Sequence, residues 1–494
     1  MQAIRIAAAA TLALTLAACA DMGGIAPQAH KLDATSVNAG AAIKGAMAHA
    51  AWPQEQWWEA LQDPQLNRLM ASALADNPSL HAAQARVRQA RALAGITEAA
   101  TLPRVDAAAS AQRELFSAHA MVPPPLAGNY AWNNTAILSG SYDLDLWGRD
   151  HAALAAALGD VQLASAETQM ARLALESAIV RAYIQLALNY TLEDSAAATL
   201  AQRERLLDLT RRRQAAGLAS AIDVTSIETT LPAGRREQEQ IGTTIALLRN
   251  QLAALIGKGP GDGESIARPR LILAPEQGQT LPATAASAGV SAAALPIALP
   301  AELPAELLGR RPDIAAQRWR VEAAAQRINV AKAAFYPNIN LTAFAGVQAL
   351  GFGHLLEAGS AMRGIAPAIS LPVFEGGRLR SQLAGQSAVY DGAVEQYNAT
   401  VLHALEEVAN AVTRDRAEQE QARLNRQALA SARQAHRLAE QAWRAGLTDQ
   451  ANEIGARIAL LQEQRQVAQV ASRQLDNYAE LMAALGGGVK LDLP

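Results

Sequence analysis

The segment that decides the fold occurs twice, as NPSLHAAQARVRQARALAGITEAATLPRV at residues 77–105 and as RPDIAAQRWRVEAAAQRINVAKAAFYPNI at residues 311–339. In each copy a proline, Pro78 or Pro312, opens a run of about 25 residues that ends at a second proline, as expected of a helix bounded by helix-ending residues. The two copies align without gaps from Pro78 and Pro312 to Pro103 and Pro337. This repeat predicts a chain built from a tandem duplication.

Two further matches, which share one common spacing, extend the duplication downstream. Trp147-Gly148-Arg149 corresponds to Gly376-Gly377-Arg378, and Ala216-Gly217-Leu218 corresponds to Ala445-Gly446-Leu447. Three separated matches in the same order favour a true duplication over chance agreement. The repeated unit is therefore about 230 residues long.

After each repeated helix, apolar and polar residues alternate, as in strands with one apolar face and one polar face. The alternating stretches are residues 105–112, 135–146, 338–348 and 365–374. The last of them alternates weakly and contains Pro367 and Pro372, which fit poorly in a strand interior. The pattern predicts two β-hairpins, at residues 104–147 and 338–374.

Each hairpin is followed by a long stretch without proline. Residues 150–215 and 379–444 each predict one continuous helix of about 66 residues, or about 100 Å. Alanine occupies apolar positions on more than one face of these helices, which favours packing between two neighbouring helices. Gly217 and Gly446 supply the C-terminal caps. Return helices are then expected at residues 221–256, interrupted or kinked at Pro232, and at residues 451–485.

The N-terminus has the pattern of an exported lipoprotein. Residues 1–18 read as a signal peptide, with Arg5 before an apolar core. The stretch LAAC, ending at Cys19, resembles the bacterial lipobox, in which the Cys is acylated and becomes the first residue. Ala20 in the next position implies sorting to the outer membrane. The alternative is a buried Cys near an ordinary cleavage site.

Composition excludes several classes of function. Lys and Arg number 43 against 46 Asp and Glu, so neither a polybasic nucleic-acid binder nor an acidic tail is expected. After the first 18 residues no long apolar run occurs, which excludes a conventional transmembrane helix and leaves barrel strands as the means of crossing a membrane. Cys19 is the only cysteine, so one chain cannot form an internal disulfide or a thiolate metal cluster.

Enzyme signatures are weak. The glycine-rich run from Gly257 to Gly261 lacks a Ser or Thr after Lys258, and a helix-ending turn is the simpler interpretation. Asp143 and Asp145 resemble a carboxylate pair, but the alternation places both on the polar face of a strand. The eight His residues show no metal-binding spacing. We therefore predict no catalytic residues, no cofactor and no metal.

These features resemble the TolC/OprM superfamily of trimeric outer-membrane channels, and more closely its NodT-type lipoprotein branch, which serves resistance-nodulation-division (RND) efflux pumps. The strings that carry the resemblance are LAAC at Cys19, WWEALQDPQLNRLMASALADNPSL from Trp57, YDLDLWGR from Tyr142, AGLASAIDV from Ala216, LPAELLGRRPDI from Leu303, AAFYPNINL from Ala333, SLPVFEGGR from Ser370 and RAGLTD from Arg444. They span nearly the whole mature chain in family order.

The resemblance implies a mainly α fold with a β membrane part. Four strands per chain would form a twelve-stranded trimeric β-barrel, above a long periplasmic α-helical barrel with an equatorial belt. The expected division is a signal peptide (1–18), a lipidated linker (19–51), a first repeat (52–256), an equatorial segment (257–308), a second repeat (309–485, with its first helix at 313–336) and a C-terminal tail (486–494).

The resemblance also implies the function of an outer-membrane exit duct in a tripartite efflux pump, which passes small molecules from the periplasm to the outside. The expected partners are two further copies of the chain, a periplasmic adaptor (membrane fusion) protein, an inner-membrane RND transporter and outer-membrane lipid, without nucleic acid. A type I protein-secretion duct and a structural periplasmic coiled-coil lipoprotein are the alternatives. The exported compound and the particular pump stay open.

The candidate site residues lie at the two helix-reversal tips. The adaptor contacts are expected at Arg213, Gly217, Leu218, Arg444, Gly446 and Leu447. In the family, acidic residues after the second tip narrow the periplasmic entrance, but their usual positions here hold Asn452 and Gly455. The remaining candidates for the aperture are Asp449, Glu453 and Asp223. The alternative for Asp449 and Glu453 is that they cap the return helix.

Overall fold

The chain forms two compact units, each of which takes segments from both sequence repeats. The computed structural model describes residues 21–33, 37, 43, 52–119, 121–271, 273 and 310–489. The first unit is drawn from residues 1–31, 86–164 and 316–398, and the second from residues 32–85, 165–315 and 399–494. Each repeat is therefore divided between the two units. The predicted signal peptide, Cys19 and most of the 257–308 segment lie outside the described residues.

Helices dominate the described residues. In chain order they are α1 (Pro64–Asp76), α2 (Pro78–Ala100), α3 (Arg149–Ala215), α4 (Ala221–Glu228), α5 (Thr230–Leu255), α6 (Pro312–Ala333), α7 (Arg378–Arg444) and α8 (Gln450–Ala484), with short turns of helix at Trp57–Leu61, Pro260–Gly263 and Ala358–Ser360. The long helices α3 and α7 have 67 residues each. No helix within these ranges combines the length and apolarity that a membrane span needs.

The first unit contains a four-stranded antiparallel sheet. Its strands are β1 (Arg104–Leu115), β2 (Tyr130–Leu144), β3 (Asn338–Leu350) and β4 (Ala361–Ser370), in that spatial order. The central pair joins the two repeats, because Gly140 of β2 lies between Val105 of β1 and Ala343 of β3. β1 and β4 are the two edges of the sheet.

The register gives the sheet one polar face and one apolar face. Arg104, Ser141 and Thr342 are in register and share the polar face, where Asn338 and Asn340 donate side-chain hydrogen bonds to Asp143. The opposite face carries exposed apolar side chains, namely Val105, Leu138, Leu341, Ile365 and Ile369. This alternation follows the period-2 pattern in the sequence.

The hairpin boundaries differ from the predicted ones at two places. β4 is displaced four residues toward the N-terminus, since it ends at Ser370 and leaves Pro372 outside the sheet. Pro367 is accommodated because β4 is an edge strand. Asp145 also lies outside the sheet, so its predicted place on a strand face is wrong. Its carboxylate instead accepts the backbone N–H groups of Asp150 and His151 and caps the first turn of α3.

The first return segment is two helices rather than one helix broken at Pro232. α4 and α5 meet at Thr229, whose backbone keeps helical dihedral angles. Pro232 lies in the first turn of α5, where its missing N–H leaves no hydrogen bond unmade. The expected turn at Gly257 is present, because Gly257 adopts a φ of +76° and Lys258 N–H donates to the Ala253 carbonyl.

Tyr183 lies at the centre of the second unit and is fully buried. Its hydroxyl donates to Asp63 at 2.7 Å, and Asp63 also accepts the backbone N–H of Arg270 at 2.9 Å. Trp57, Trp58 and further apolar side chains from α1, α3, α5 and α8 surround this site. This buried hydrogen-bonded centre fixes the segment that contains Asp63 and α1 against the long helix α3.

Residues 21–31 lie along α7 in the first unit. Arg380 donates to the Asp21 carboxylate at 2.5 Å, and Asp391 accepts the backbone N–H groups of Gln28 and Ala29 at 2.9 Å. Met22 and Ile25 pack against a cluster that includes Phe335 and Leu383. Asp21 is therefore held at the first turn of α7, close to the point where the chain leaves β4.

Candidate functional site

The first helix tip joins α3 to α4. Gly217 adopts a φ of +74°, and Leu218 N–H donates to the Arg213 carbonyl at 2.7 Å. Glycine reaches this left-handed conformation without a Cβ clash, so the long helix ends here. Ser220 then caps α4, and Asp223 accepts a hydrogen bond from the Ser220 backbone N–H at 2.8 Å.

The second tip repeats this geometry between α7 and α8. Gly446 has a φ of +71°, and Leu447 N–H donates to the Ala442 carbonyl at 2.8 Å. Asp449 caps α8 by accepting the Asn452 backbone N–H at 3.0 Å. Asp449 therefore occupies the position that Ser220 occupies in the first tip.

An ion pair connects the two tips. Arg213 Nη1, at the end of α3, lies 2.7 Å from Asp449 Oδ2, at the start of α8. The Arg213 guanidinium, followed by the Asn452 N–H, lowers the pKa of the Asp449 carboxyl below its ordinary value. Asp449 thus caps its own helix and binds the other tip at the same time.

The other two aperture candidates are engaged within their own tips. Glu453 Oε1 lies 3.1 Å from His436 Nε2 on α7, and only 17% of its side chain is exposed. The backbone N–H of Ser220, followed by its hydroxyl, lowers the pKa of the Asp223 carboxyl. In the single chain, Glu453 is therefore directed at α7, and Asp223 completes a capping box.

The two tip arginines have different surroundings. Arg444 pairs with Glu440 one turn earlier on its own helix, at 2.5 Å, and its side chain is 71% exposed. Arg213 instead reaches the other tip. The two residues are not equivalent in the repeat either, because the alignment that matches Gly217 with Gly446 matches Arg213 with Ala442. Of the two arginines, Arg213 is the one whose ion pair can couple the movements of the tips.

Exposed apolar side chains cluster at the tips. Leu218, Ile222 and Leu447 are 70%, 80% and 82% exposed. A shallow groove of about 420 Å³ runs along α4 and is lined by Ala221, Ile222, Thr225, Ser226 and Thr229. Apolar side chains with this exposure, beside a groove lined by small residues, form a surface suited to another helix.

The inward direction of Glu453 has a signal in the sequence, namely its counterpart in the first tip. The alignment of the two tips matches Glu453 with Val224, which is 8% exposed. The same alignment matches Asp449 with Ser220, a residue type favoured at N-caps. The groove and the ion pair between the tips have no comparable sequence signal, because both depend on how separate helices pack.

Within the described residues, no group of three or more His, Cys, Asp or Glu side chains is placed to hold a metal ion.

Comparisons with known proteins agree with this architecture. The family model described as "outer membrane efflux protein" matches residues 69–258 and 303–487. The fusaric acid resistance protein FusA of Burkholderia cepacia is 41% identical over 384 residues, which cover 76% of this chain and 68% of FusA. The multidrug resistance outer membrane protein MdtP of Escherichia coli K12 is 30% identical over 450 residues, which cover 90% of this chain and 88% of MdtP.

Solved structures show the same fold. The crystal structure of the outer membrane protein VceC of Vibrio cholerae has a TM-score of 0.77 and 36% sequence identity, and covers 88% of this chain and all of VceC. The outer-membrane channel OprN also has a TM-score of 0.77, at 27% identity, and covers 94% of this chain and 97% of OprN.

Proposed function

The chain belongs to the outer membrane efflux protein family, and we propose that three copies of it form the exit duct of a tripartite pump for small organic molecules. It is an outer-membrane efflux protein with a β membrane part and a periplasmic helical part. The family, the fold class, the function of an outer-membrane efflux duct and the outer-membrane location predicted from the sequence are confirmed, while the lipid anchor stays a prediction. The family and its fold are those of channel proteins rather than of enzymes.

The observation that carries the three-chain proposal is the sheet with two open edges. Within the described residues, β1 and β4 have no strand partner on their outer sides. Unpaired backbone groups are too costly in the hydrocarbon core of a membrane, so the edges must meet other strands. Three copies would close a twelve-stranded barrel, with the polar face of each sheet lining a water-filled duct and the apolar face against lipid.

The tips support an adaptor as the periplasmic partner. The exposed side chains of Leu218, Ile222 and Leu447 and the groove on α4 present a surface for the helical hairpin of an adaptor protein. The adaptor would in turn link the duct to an inner-membrane RND transporter. The cargo class follows from the relatives, which are named for resistance to fusaric acid and to multiple drugs. We expect small organic compounds, including organic acids, rather than proteins.

The Arg213–Asp449 pair supports a revised proposal for the aperture. The two tips of one chain are held together by this ion pair, so separating them requires breaking it. Opening of the periplasmic end would then proceed by movement of one tip away from the other. Glu453, which faces His436, would contribute to the packing of α7 against α8 rather than to an acidic ring.

Acylation of Cys19 remains part of the proposal. Cys19 comes two residues before Asp21, and Asp21 is bound to the start of α7. The end of β4 is nearby in sequence, because Ser370 is separated from Arg378 by a short connection. Acyl chains on Cys19 would therefore meet the periplasmic leaflet of the outer membrane. We also retain the 257–308 segment as part of an equatorial belt.

The function is tested by complementing a strain that lacks its own duct and measuring the efflux of a fluorescent dye. The native protein, expressed with its own adaptor and transporter, is expected to restore efflux. A variant with Leu218→Asp and Leu447→Asp should reach the membrane as a trimer but fail to restore it. Unchanged efflux in this variant would contradict the adaptor surface. Secretion of a protein without dye efflux would favour the type I alternative.

A further inference from the structure

Two arginines lie on the apolar face of the sheet, one on each edge strand. Arg113 is the third residue from the end of β1, and Arg363 is the third residue from the start of β4. Arg113 is in register with Trp132, and Arg363 is in register with Ala345, which pairs with Leu138. Both arginines therefore share a face with Leu138.

Both arginines lie toward the strand ends that are remote from the helices. β1 follows α2 and ends in the loop before β2, while β4 starts after the loop from β3 and ends before α7. The helical part is periplasmic, so these ends face the outer leaflet and the cell exterior. Arg113 and Arg363 thus approach the outer surface of the membrane on the lipid side of the sheet.

Neither guanidinium has a carboxylate partner within the part of the chain that the structure describes. Arg113 stacks on Tyr130, with its guanidinium carbon 5.5 Å from the ring centroid. Arg104, on the polar face of β1, differs from both, because its guanidinium pairs with the Asp106 carboxylate at 2.8 Å. An unpaired charge on a lipid-facing surface is destabilising unless it reaches an anionic headgroup.

Aromatic side chains lie at the level of Arg113 on this face of the sheet. Tyr130 and Trp132 lie on the apolar face, and the rings of Trp132 and Phe352 are 5.4 Å apart. Asn134, two residues after Trp132 on this face, is 1% exposed, and its side chain has no hydrogen-bond partner within the described residues. Aromatic and polar residues at one end of an apolar face are typical of the boundary between hydrocarbon and headgroups.

Closure by three chains would bring the two arginines together. This step rests on the proposed three-chain barrel, in which β4 of one copy pairs with β1 of the next. Arg363 of one copy and Arg113 of its neighbour would then lie on adjacent strands, on one face and near the same end. Like charges on neighbouring strands repel each other, so this seam needs an anion between them.

We propose that each seam between protomers binds a phosphate group of the phosphorylated glycolipid of the outer leaflet. The two guanidinium groups, from Arg113 and from Arg363 of the neighbouring copy, hold the phosphate oxygens, since planar guanidinium groups match phosphate geometry. Tyr130 and Trp132 contact the sugar and the upper acyl chains. A closed trimer has three such seams and binds up to three glycolipid molecules.

The test uses native mass spectrometry of the purified protein in detergent micelles that contain lipid A with two phosphates. The native trimer is expected to retain lipid A, and the double variant Arg113→Gln/Arg363→Gln to lose about tenfold or more of the bound lipid, the scale of a lost charge-assisted hydrogen bond. Each single variant should show an intermediate loss. Arg104→Gln, on the other face of β1, is the matched control and should bind as the native protein does.

Two other lipids test whether the phosphate groups of lipid A are what the arginines bind. Lipid A without phosphates should not be retained, and phosphatidylglycerol should be displaced by phosphorylated lipid A. Equal retention of dephosphorylated lipid A, equal retention of phosphatidylglycerol, or full retention by a trimeric double variant would each overturn the proposal. If the native protein proves to be a monomer in detergent, the three-chain closure itself fails, and the seam site fails with it.

Discussion

Arg213 and Asp449, which lie in different sequence repeats, form an ion pair of 2.7 Å that joins the end of one long helix to the start of the last helix. Both side chains are about half exposed. An exposed pair of this kind contributes about 1 kcal/mol or less, so the contact is weak enough to break during a functional cycle.

Asp449→Asn is expected to loosen the tips without unfolding α8. Asn is as good an N-cap as Asp, so the variant keeps the hydrogen bond from Asn452 and loses only the ion pair to Arg213. In planar bilayers we expect a few-fold increase in the open population, as the loss of about 1 kcal/mol or less per chain implies. Asp208→Asn, which breaks an exposed pair with Arg212 within α3, is the control and should leave conductance unchanged.

Glu453→Gln tests whether this residue faces the duct. Its side chain is directed at His436 and is largely buried, so the variant is expected to keep the cation preference of the native channel. Selectivity is measured from the reversal potential under a salt gradient. A clear fall in cation preference would show that Glu453 faces the water-filled path, as an acidic ring requires.

The buried Glu176 predicts a pH dependence of stability. Burial, opposed by Arg172, raises the pKa of this carboxyl from 4.5 to about 7. The folded state therefore holds the proton more tightly than the unfolded chain. Its contribution is fully present below about pH 4.5 and is lost as the pH rises through about 7, by up to about 3 kcal/mol.

Thermal melting of the native protein and of Glu176→Gln at pH 5 and pH 8.5 checks this expectation. The native protein should melt at a lower temperature at pH 8.5, and the variant should show a smaller difference between the two conditions. Glu55→Gln removes a more exposed carboxylate from the same Arg172 and serves as the control. Equal pH dependence in the native protein and Glu176→Gln would refute the prediction.

Cys19→Ser is expected to abolish acylation while the fold persists, because the residue precedes the segment that binds α7. Radiolabelled palmitate should be incorporated into the native protein and not into the variant. Arg380→Glu, which opposes Asp21 with a like charge, should retain the label but expose residues 21–31 to protease. Continued labelling of Cys19→Ser would rule out this site.

The parts of the fold that follow from local pattern were predictable. Period-2 alternation identified the faces of β1, β2 and β3, and the glycines at 217 and 446 identified the reversals of the chain. The position of β4 was not predictable to better than four residues, because its small Ala, Gly and Pro residues give little alternation of apolar and polar side chains. Asp145 was predicted on the strand because it continues the alternating pattern of β2. Its carboxylate lies just past the end of β2 and caps α3 instead.

The candidate site was predictable only in part. The tips themselves are encoded by local signals, namely a glycine followed three residues later by a capping residue. The partner of Asp449 could not be predicted from local signals. Arg213 belongs to the other repeat and reaches Asp449 only through the packing of helices that are distant in sequence. Contacts of this kind depend on tertiary geometry, which no local spacing in a single sequence records.

The pairing of β2 with β3 has a consequence for the order of events after synthesis. Gly140 pairs with Ala343, so the sheet cannot be completed until the whole of α3, α4, α5 and α6 has been made and exported. Until then the first hairpin has an unsatisfied edge, and closing so long a loop carries an entropic cost that slows folding. We therefore expect the strands of the first hairpin to be uncovered during export, and the biogenesis of the chain to benefit from periplasmic chaperones that shield such edges.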